Sequence, residues 1–288
     1  MDRRPIALLL GPIVLLAALL ASACGGGSEP AAGAHPDSEA LARRLEQHAR
    51  FWDQLESANQ ARLAADYSRA AALYRAALDE RPDHEDARYH LGNCAFELGD
   101  YEAALAAFEE LARRHPHSSR ALAQIGRLHS MPPAPALFDL AAAEAAFAAA
   151  HRINREETGP ALSLGEVVLV RGDLPRARAI LEAVRSTNPR AARAHFLCGY
   201  LEHLEGNAER AAADAARARA ALEPLKPPPS AASSEGDTQS PPPPIPTDSR
   251  SLLGGFWVRL AETGGAAWPD FAEFDRFLRA LRSELKSH

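Results

Sequence analysis

Apolar positions along this chain recur at helical rather than strand spacing, and over long stretches they recur in the same order. DYSRAAALYRAALDERP, beginning at Asp66, and DYEAALAAFEELARRHP, beginning at Asp100, agree at Asp, Tyr, Ala, an aromatic and Pro, and start 34 residues apart. A period of that length marks a repeated supersecondary unit. Counting Phe51 as slot 1, slot 17 holds Tyr67 and Tyr101, slot 20 Ala70 and Ala104, and slot 24 Tyr74 and Phe108. Slot 27 holds Ala77 and Leu111, and slot 32 Pro82 and Pro116; the unit from Glu85 adds Leu91-Gly92 and Gly99-Asp100. From Thr158 the same register gives Leu164-Gly165, Gly172-Asp173, Ala177, Leu181, Val184 and Pro189. From Ala192 it gives Gly199, Gly206-Asn207, Ala211, Ala215 and Ala218. Ser119 to Glu157 keeps Ile125-Gly126, Ala143, Phe147 and Ala150, but is five residues too long, with MPPAPALFD where a tight turn belongs.

Each unit reads as two helices. Gly at slot 8 and Ala at slot 20 leave room where the helices cross, Gly-Asp or Gly-Asn makes the turn, and Pro ends the second helix. One such pair cannot bury both faces, so neighbours must stack. Ahead of the repeats, Ser38 to Trp52 reads as helix with Leu41, Leu45, Trp52 and Leu55 on one face, extending the first repeat helix or capping the stack. Residues 226–250 are rich in Pro and Ser and read as a disordered linker. Beyond it, residues 251–288 return to order, with Phe271, Phe274, Leu278, Leu281 and Leu285 along one side of an amphipathic helix.

The L-G, G-D-Y, A, F, A and P positions resemble the tetratricopeptide repeat. The resemblance implies an all-α, right-handed superhelical solenoid of about five helix pairs, within residues 38–225, with a concave inner face that binds protein or peptide. In that family, ligands usually touch slots 2, 5, 9, 12 and 13 of the first helix of each pair. Here those slots include Trp52, Asn59 and Arg62, then Tyr89, Asn93 and Phe96, then Arg120 and Arg127, then Phe196, Tyr200 and His203. Asn59 and Asn93 share a slot, and stacked carboxamides can both donate to and accept from a peptide backbone. The aromatics beside them are expected to be exposed anchors. The carboxylate clamp of chaperone-binding relatives is matched only in part: Asn59 occupies one of its slots and Arg120 keeps the charge at another. Leu55, His90 and Gln124 stand where it has Lys, Asn and Arg, so a chaperone clamp is not expected, although Arg120 and Arg127 favour an acidic ligand.

Composition narrows the class. Aromatics make up 6% of the 288 residues, Ala dominates, and helix formers far outnumber strand formers. The formal charge of −6, without Lys/Arg blocks, lacks the footprint of nucleic-acid binding. MDRR followed by IALLLGPIVLLAALLASA reads as a secretory signal over residues 1–23. Its end, LASAC, resembles the lipobox of bacterial lipoproteins, with Ala21 where Leu is usual, and GGGSEPAAGAHP follows as a tether over residues 24–37. The resemblance implies lipidation at Cys24 and, with Gly25 next, an outer-membrane lipoprotein facing the periplasm; an uncleaved segment holding the chain in the inner membrane is the alternative. Cys94 and Cys198 lie three repeats apart, too far for a disulfide, whose Cα atoms must come within roughly 7 Å.

No catalytic pattern emerges. His84-Glu85 lacks the second zinc-ligand His, because position 88 is Arg88, and no G-x-S-x-G, phosphate-binding Gly loop or C-x-x-C occurs. His195, Cys198 and Glu202 share one helix face at a metal-binding spacing, but they fall on slots that face the partner helix. The expected protein is a non-enzymatic binding scaffold of the bacterial envelope, without cofactor, whose C-terminal helix either docks on the solenoid or elsewhere. A metal-handling or catalytic accessory protein using His195, Cys198 and His203 is the second reading.

Overall fold

The computed structural model describes residues 36–222, 250–257 and 270–285. The expected signal peptide, Cys24, nearly all of the tether and the Pro-rich linker lie outside those residues. Among the described residues there is no strand. The helices are α1 (Pro36–Leu63), α2 (Tyr67–Glu80), α3 (Glu85–Glu97), α4 (Tyr101–Arg114), α5 (Ser119–His129) and α6 (Leu140–Ile153). They continue as α7 (Thr158–Arg171), α8 (Leu174–Thr187), α9 (Ala192–Leu204), α10 (Ala208–Leu222) and α11 (Phe271–Leu285). Consecutive helices from α3 to α10 pack on one another, forming a solenoid. None of the described helices is long and apolar enough to cross a membrane.

Local chemistry sets the pairs. Asp66, Asp100 and Asp173 cap the second helices by accepting from the N–H of Arg69, Ala103 and Arg176, at 3.1, 3.0 and 3.2 Å. The preceding residue must turn left-handed, and Gly99 and Gly172 do so at φ +79° and +93°. Where the helices cross, a Cβ on Gly92 would meet the Phe108 ring at 2.7 Å, one on Gly126 the Phe147 ring at 2.9 Å, and one on Gly165 Leu181 at 2.8 Å. The repeat register is therefore a packing register. Gly92→Leu is expected to destabilise by about 1–3 kcal/mol through overpacking against Phe108, read from a urea melt; a wild-type midpoint would refute this crossing.

The inserted MPPAPALFD folds as a packed loop. Met131 and Ala134 are buried, the Asp139 N–H donates to the His129 carbonyl at 2.9 Å, and His129 Nδ1 lies 2.7 Å from the Leu137 oxygen. Cys94 and Cys198 are buried and unbridged, and burial pushes their thiols up to about 11 and about 12.

The α1 helix contributes to two units. Its residues through Ala49 form one unit, in which Leu41 and Leu45 are 57% and 62% exposed. The apolar face expected to run from Leu41 to Leu55 is thus unburied at its N-terminal end. From Arg50 onward the chain forms the second unit, where Phe51, Leu55, Ala58 and Ala61 pack with Ala70, Tyr74 and Ala77 as the first helix pair.

Candidate functional site

The first helices of the pairs (α1 beyond Arg50, then α3, α5, α7 and α9) carry the residues assigned to the inner face. At its N-terminal end Trp52 is 46% exposed and meets Phe51 edge-on at 5.1 Å. Asn59 does not present a free carboxamide: its Oδ1 accepts from the Tyr74 hydroxyl at 2.7 Å, and Arg62 Nε donates to that hydroxyl at 3.3 Å. The hydroxyl of a buried tyrosine must find a partner, and Asn59 supplies it. One repeat later the same slot holds Phe108, which makes no such demand. Asn93 is accordingly half-buried, with no side-chain hydrogen bond among the described residues.

Tyr89 is held from two sides. Gln124 Nε2 donates to its hydroxyl at 3.2 Å, and the Arg120 guanidinium lies 4.7 Å from its ring centre. Arg120 also pairs with Glu85 at 3.1 Å and with Asp86, and its hydrogen bond holds the Asp86 carboxyl below the ordinary value. The Arg120 charge expected to favour an acidic ligand is already paired within the protein. Arg127 lies over the Phe96 ring at 4.0 Å.

The C-terminal part of this face is covered by the chain's own C-terminal residues. Phe196 and Tyr200, expected to be exposed anchors, are 0% and 1% exposed. Around Phe196 stand Phe256, Trp257, Phe271 and Phe274, with ring centres 5.2–5.6 Å away. The Tyr200 hydroxyl donates to Asp275 at 2.8 Å, and the Phe274 ring meets Tyr200 edge-on at 4.8 Å. His203 remains exposed and stacks on Phe271 at 5.6 Å. Phe96 is also buried, with the Arg250 guanidinium 4.4 Å from its ring and paired with Glu97 at 3.3 Å. A cleft of about 450 Å³ lies beside Leu252, lined in part by Gln124, Arg127, Phe147, Leu162, Glu166 and Arg193.

On this face the buried Glu166 pairs with the partly buried Arg193. Burial pushes the Glu166 carboxyl above its ordinary value, against the pull of Arg193. The Arg193 guanidinium also lies 5.3 Å from the Trp257 ring. At the far end, Arg282 Nε donates to the Val170 carbonyl at 2.9 Å, and its Nη2 to that of Leu169, satisfying carbonyls in the last turn of α7. Burial opposes ionisation of Asp275, but the Tyr200 and Arg279 hydrogen bonds prevail and hold its carboxyl below the ordinary value.

Sequence reasoning missed Glu166, Arg193, Trp257 and Arg250. The first two stand at slots 9 and 2 of their repeats, so the same register contained them. The metal reading of His195, Cys198 and His203 is not supported by their placement. His195 Nε2 lies 3.0 Å from the Pro189 oxygen, Cys198 is buried, and His203 sits on Phe271. Among the described residues no group of three or more His, Cys, Asp or Glu could hold a metal ion.

Two segments, residues 61–128 and 162–224, match family profiles described as tetratricopeptide repeat. Among solved structures, the MamA protein aligns with a TM-score of 0.52 at 19% identity, over 60% of this chain and 91% of that one. YrrB, described as a TPR protein with an unusual peptide-binding site, aligns at 0.50 and 21% identity, over 63% of this chain and 92% of its own. MamA from Desulfovibrio magneticus RS-1 gives 0.52 at 13% identity, over 60% and 94%. No curated protein gives a match. The helix pairs, their register and these alignments define the fold class: an all-α solenoid in which residues 61–128 and 162–224 are similar to tetratricopeptide repeats.

Proposed function

We propose that this protein is a non-enzymatic scaffold of the bacterial envelope, lipid-anchored at Cys24, that binds a protein or peptide on the first-helix face. The observation carrying the binding reading is that this face holds polypeptide through its own inner slots: Phe96, Arg193, Phe196 and Tyr200 all contact residues 250–285. YrrB, of the same fold and carrying a peptide-binding site, supports it as an analogue. The N-terminal half, with Trp52, Tyr89 and Asn93, is where a partner makes its first contacts. The anchor rests on LASAC and the Gly-rich tether, and the outer membrane on Gly25.

One experiment tests both parts. The full chain carries a photo-crosslinking residue at position 93, or at the exposed Glu109 of a second helix as control, with and without Cys24→Ser. The expected result is a discrete crosslinked product from position 93 alone, and release of the Cys24→Ser chain from the membrane fraction. With the photo-crosslinking residue moved to the exposed Trp52 of the same face, Asn93→Ala is expected to weaken capture several-fold, the loss of roughly one neutral hydrogen bond. Equal crosslinking from both positions would sink the binding face, and unchanged fractionation would sink the lipid anchor.

A further inference from the structure

We infer that residues 250–257 and 270–285 are a built-in ligand of the first-helix face, and that a partner binds there by displacing a segment of matching chemistry. Resting on the binding reading above, this assigns the ligand class: a guanidinium, then aliphatic side chains, then an aromatic cluster on a helical turn and helix. The contacts follow that order along the solenoid. Arg250 engages Phe96 and Glu97 of α3; Leu252 borders the cleft between α5 and α7; Trp257 meets Arg193 and Phe196 of α9. Phe271 and Phe274 then close over Phe196 and Tyr200.

Composition separates this contact from the solenoid's own core. The crossings within helix pairs are made by Gly, Ala, Leu and Phe at fixed slots, as at Gly165 with Leu181. The C-terminal contact instead gathers Phe, Trp and Arg around a centre, with polar anchors at its edge: Arg250 on Glu97, Asp275 on Tyr200, and Arg282 on the α7 carbonyls. Aromatic and Arg enrichment with a hydrogen-bonded rim is the anatomy of an interface. The segment also follows the Pro-rich stretch, outside the repeat register. At Gly199 the contact is close: a Cβ there would lie 2.8 Å from the Phe271 ring. The cleft beside Leu252 shows that the resident segment does not fill the whole face.

The test keeps the chain whole until it is folded. A protease site is placed at Gly236 of the full chain, the folded protein is cut there, and the product is passed over a sizing column. The expected result is that the C-terminal fragment co-elutes, and that excess synthetic peptide of residues 250–285 replaces it while helicity is retained. The same peptide with Trp257→Ala is expected to compete roughly thirty-fold less well. A fragment that leaves at once at micromolar concentration, or exchanges only when the repeats unfold, would overturn the inference; so would equal competition by both peptides. Exchange as expected, with no partner crosslinked from position 93 in the uncut chain, would retire the partner reading and keep the built-in ligand.

Discussion

Glu166→Ala is expected to cost about 3 kcal/mol of folding stability, the lower end of the range for breaking a buried ion pair. Glu166 is 3% exposed, and its carboxylate answers Arg193, whose side chain is 15% exposed. Removing the acid strands a guanidinium in a place where water reaches it poorly, beside Leu252 and Trp257. The lower end applies because Arg193 keeps some solvent contact and its place over the indole. The sign is diagnostic when the partner is removed too. Glu166→Met combined with Arg193→Met leaves no buried charge and is expected to recover most of the loss, since apolar replacement of both partners is often neutral. Urea denaturation followed by far-UV circular dichroism reads both variants. A single-variant cost within about 0.5 kcal/mol, the range of a surface substitution, would mean that the pair is solvated.

The helix pairs were legible because packing repeats. Gly92 opposite Phe108, Gly126 opposite Phe147 and Gly165 opposite Leu181 are one contact written at successive units, so a repeated register exposes it. The caps at Asp66, Asp100 and Asp173 were legible for the same reason. The site was legible only as a face. Arg193, Phe196, Tyr200 and Phe96, at slots 2, 5, 9 and 12, contact residues 250–285 of the same chain, but an inner-slot aromatic says nothing about what lies over it. Phe196 and Tyr200 stand at slots expected to hold exposed anchors, yet they are buried by residues more than fifty positions further along. Arg120 pairs with Glu85 and Asp86 on the neighbouring repeat, a cross-repeat pairing that one unit's pattern does not display. Asn59 could have been separated from Asn93 in advance. Tyr74 rather than Phe stands at slot 24 of the first repeat, and its buried hydroxyl requires a partner nearby.

Phe274→Ala is expected to remove about 3–5 kcal/mol from the seating of α11, the usual cost of truncating a buried phenylalanine. The ring is 0% exposed and touches Tyr200, Phe196, Phe256 and Trp257, with centres 4.7–6.4 Å away. Truncation loses the transferred apolar area and leaves a cavity that the neighbouring rings cannot fill without leaving their own contacts. Where that loss appears depends on how the segment is attached. If α11 is a ligand, the damage to the repeats is capped by the free energy of its docking, because an undocked segment no longer reports on the ring. Stability then divides regionally, as hydrogen exchange resolves. The amides of α11 are expected to lose protection in Phe274→Ala, whereas those of α3, in an early repeat, keep theirs. A fall of equal size in α3 and α11 would instead make the C-terminal helix one cooperative unit with the solenoid, and no external partner could then displace it without unfolding the repeats.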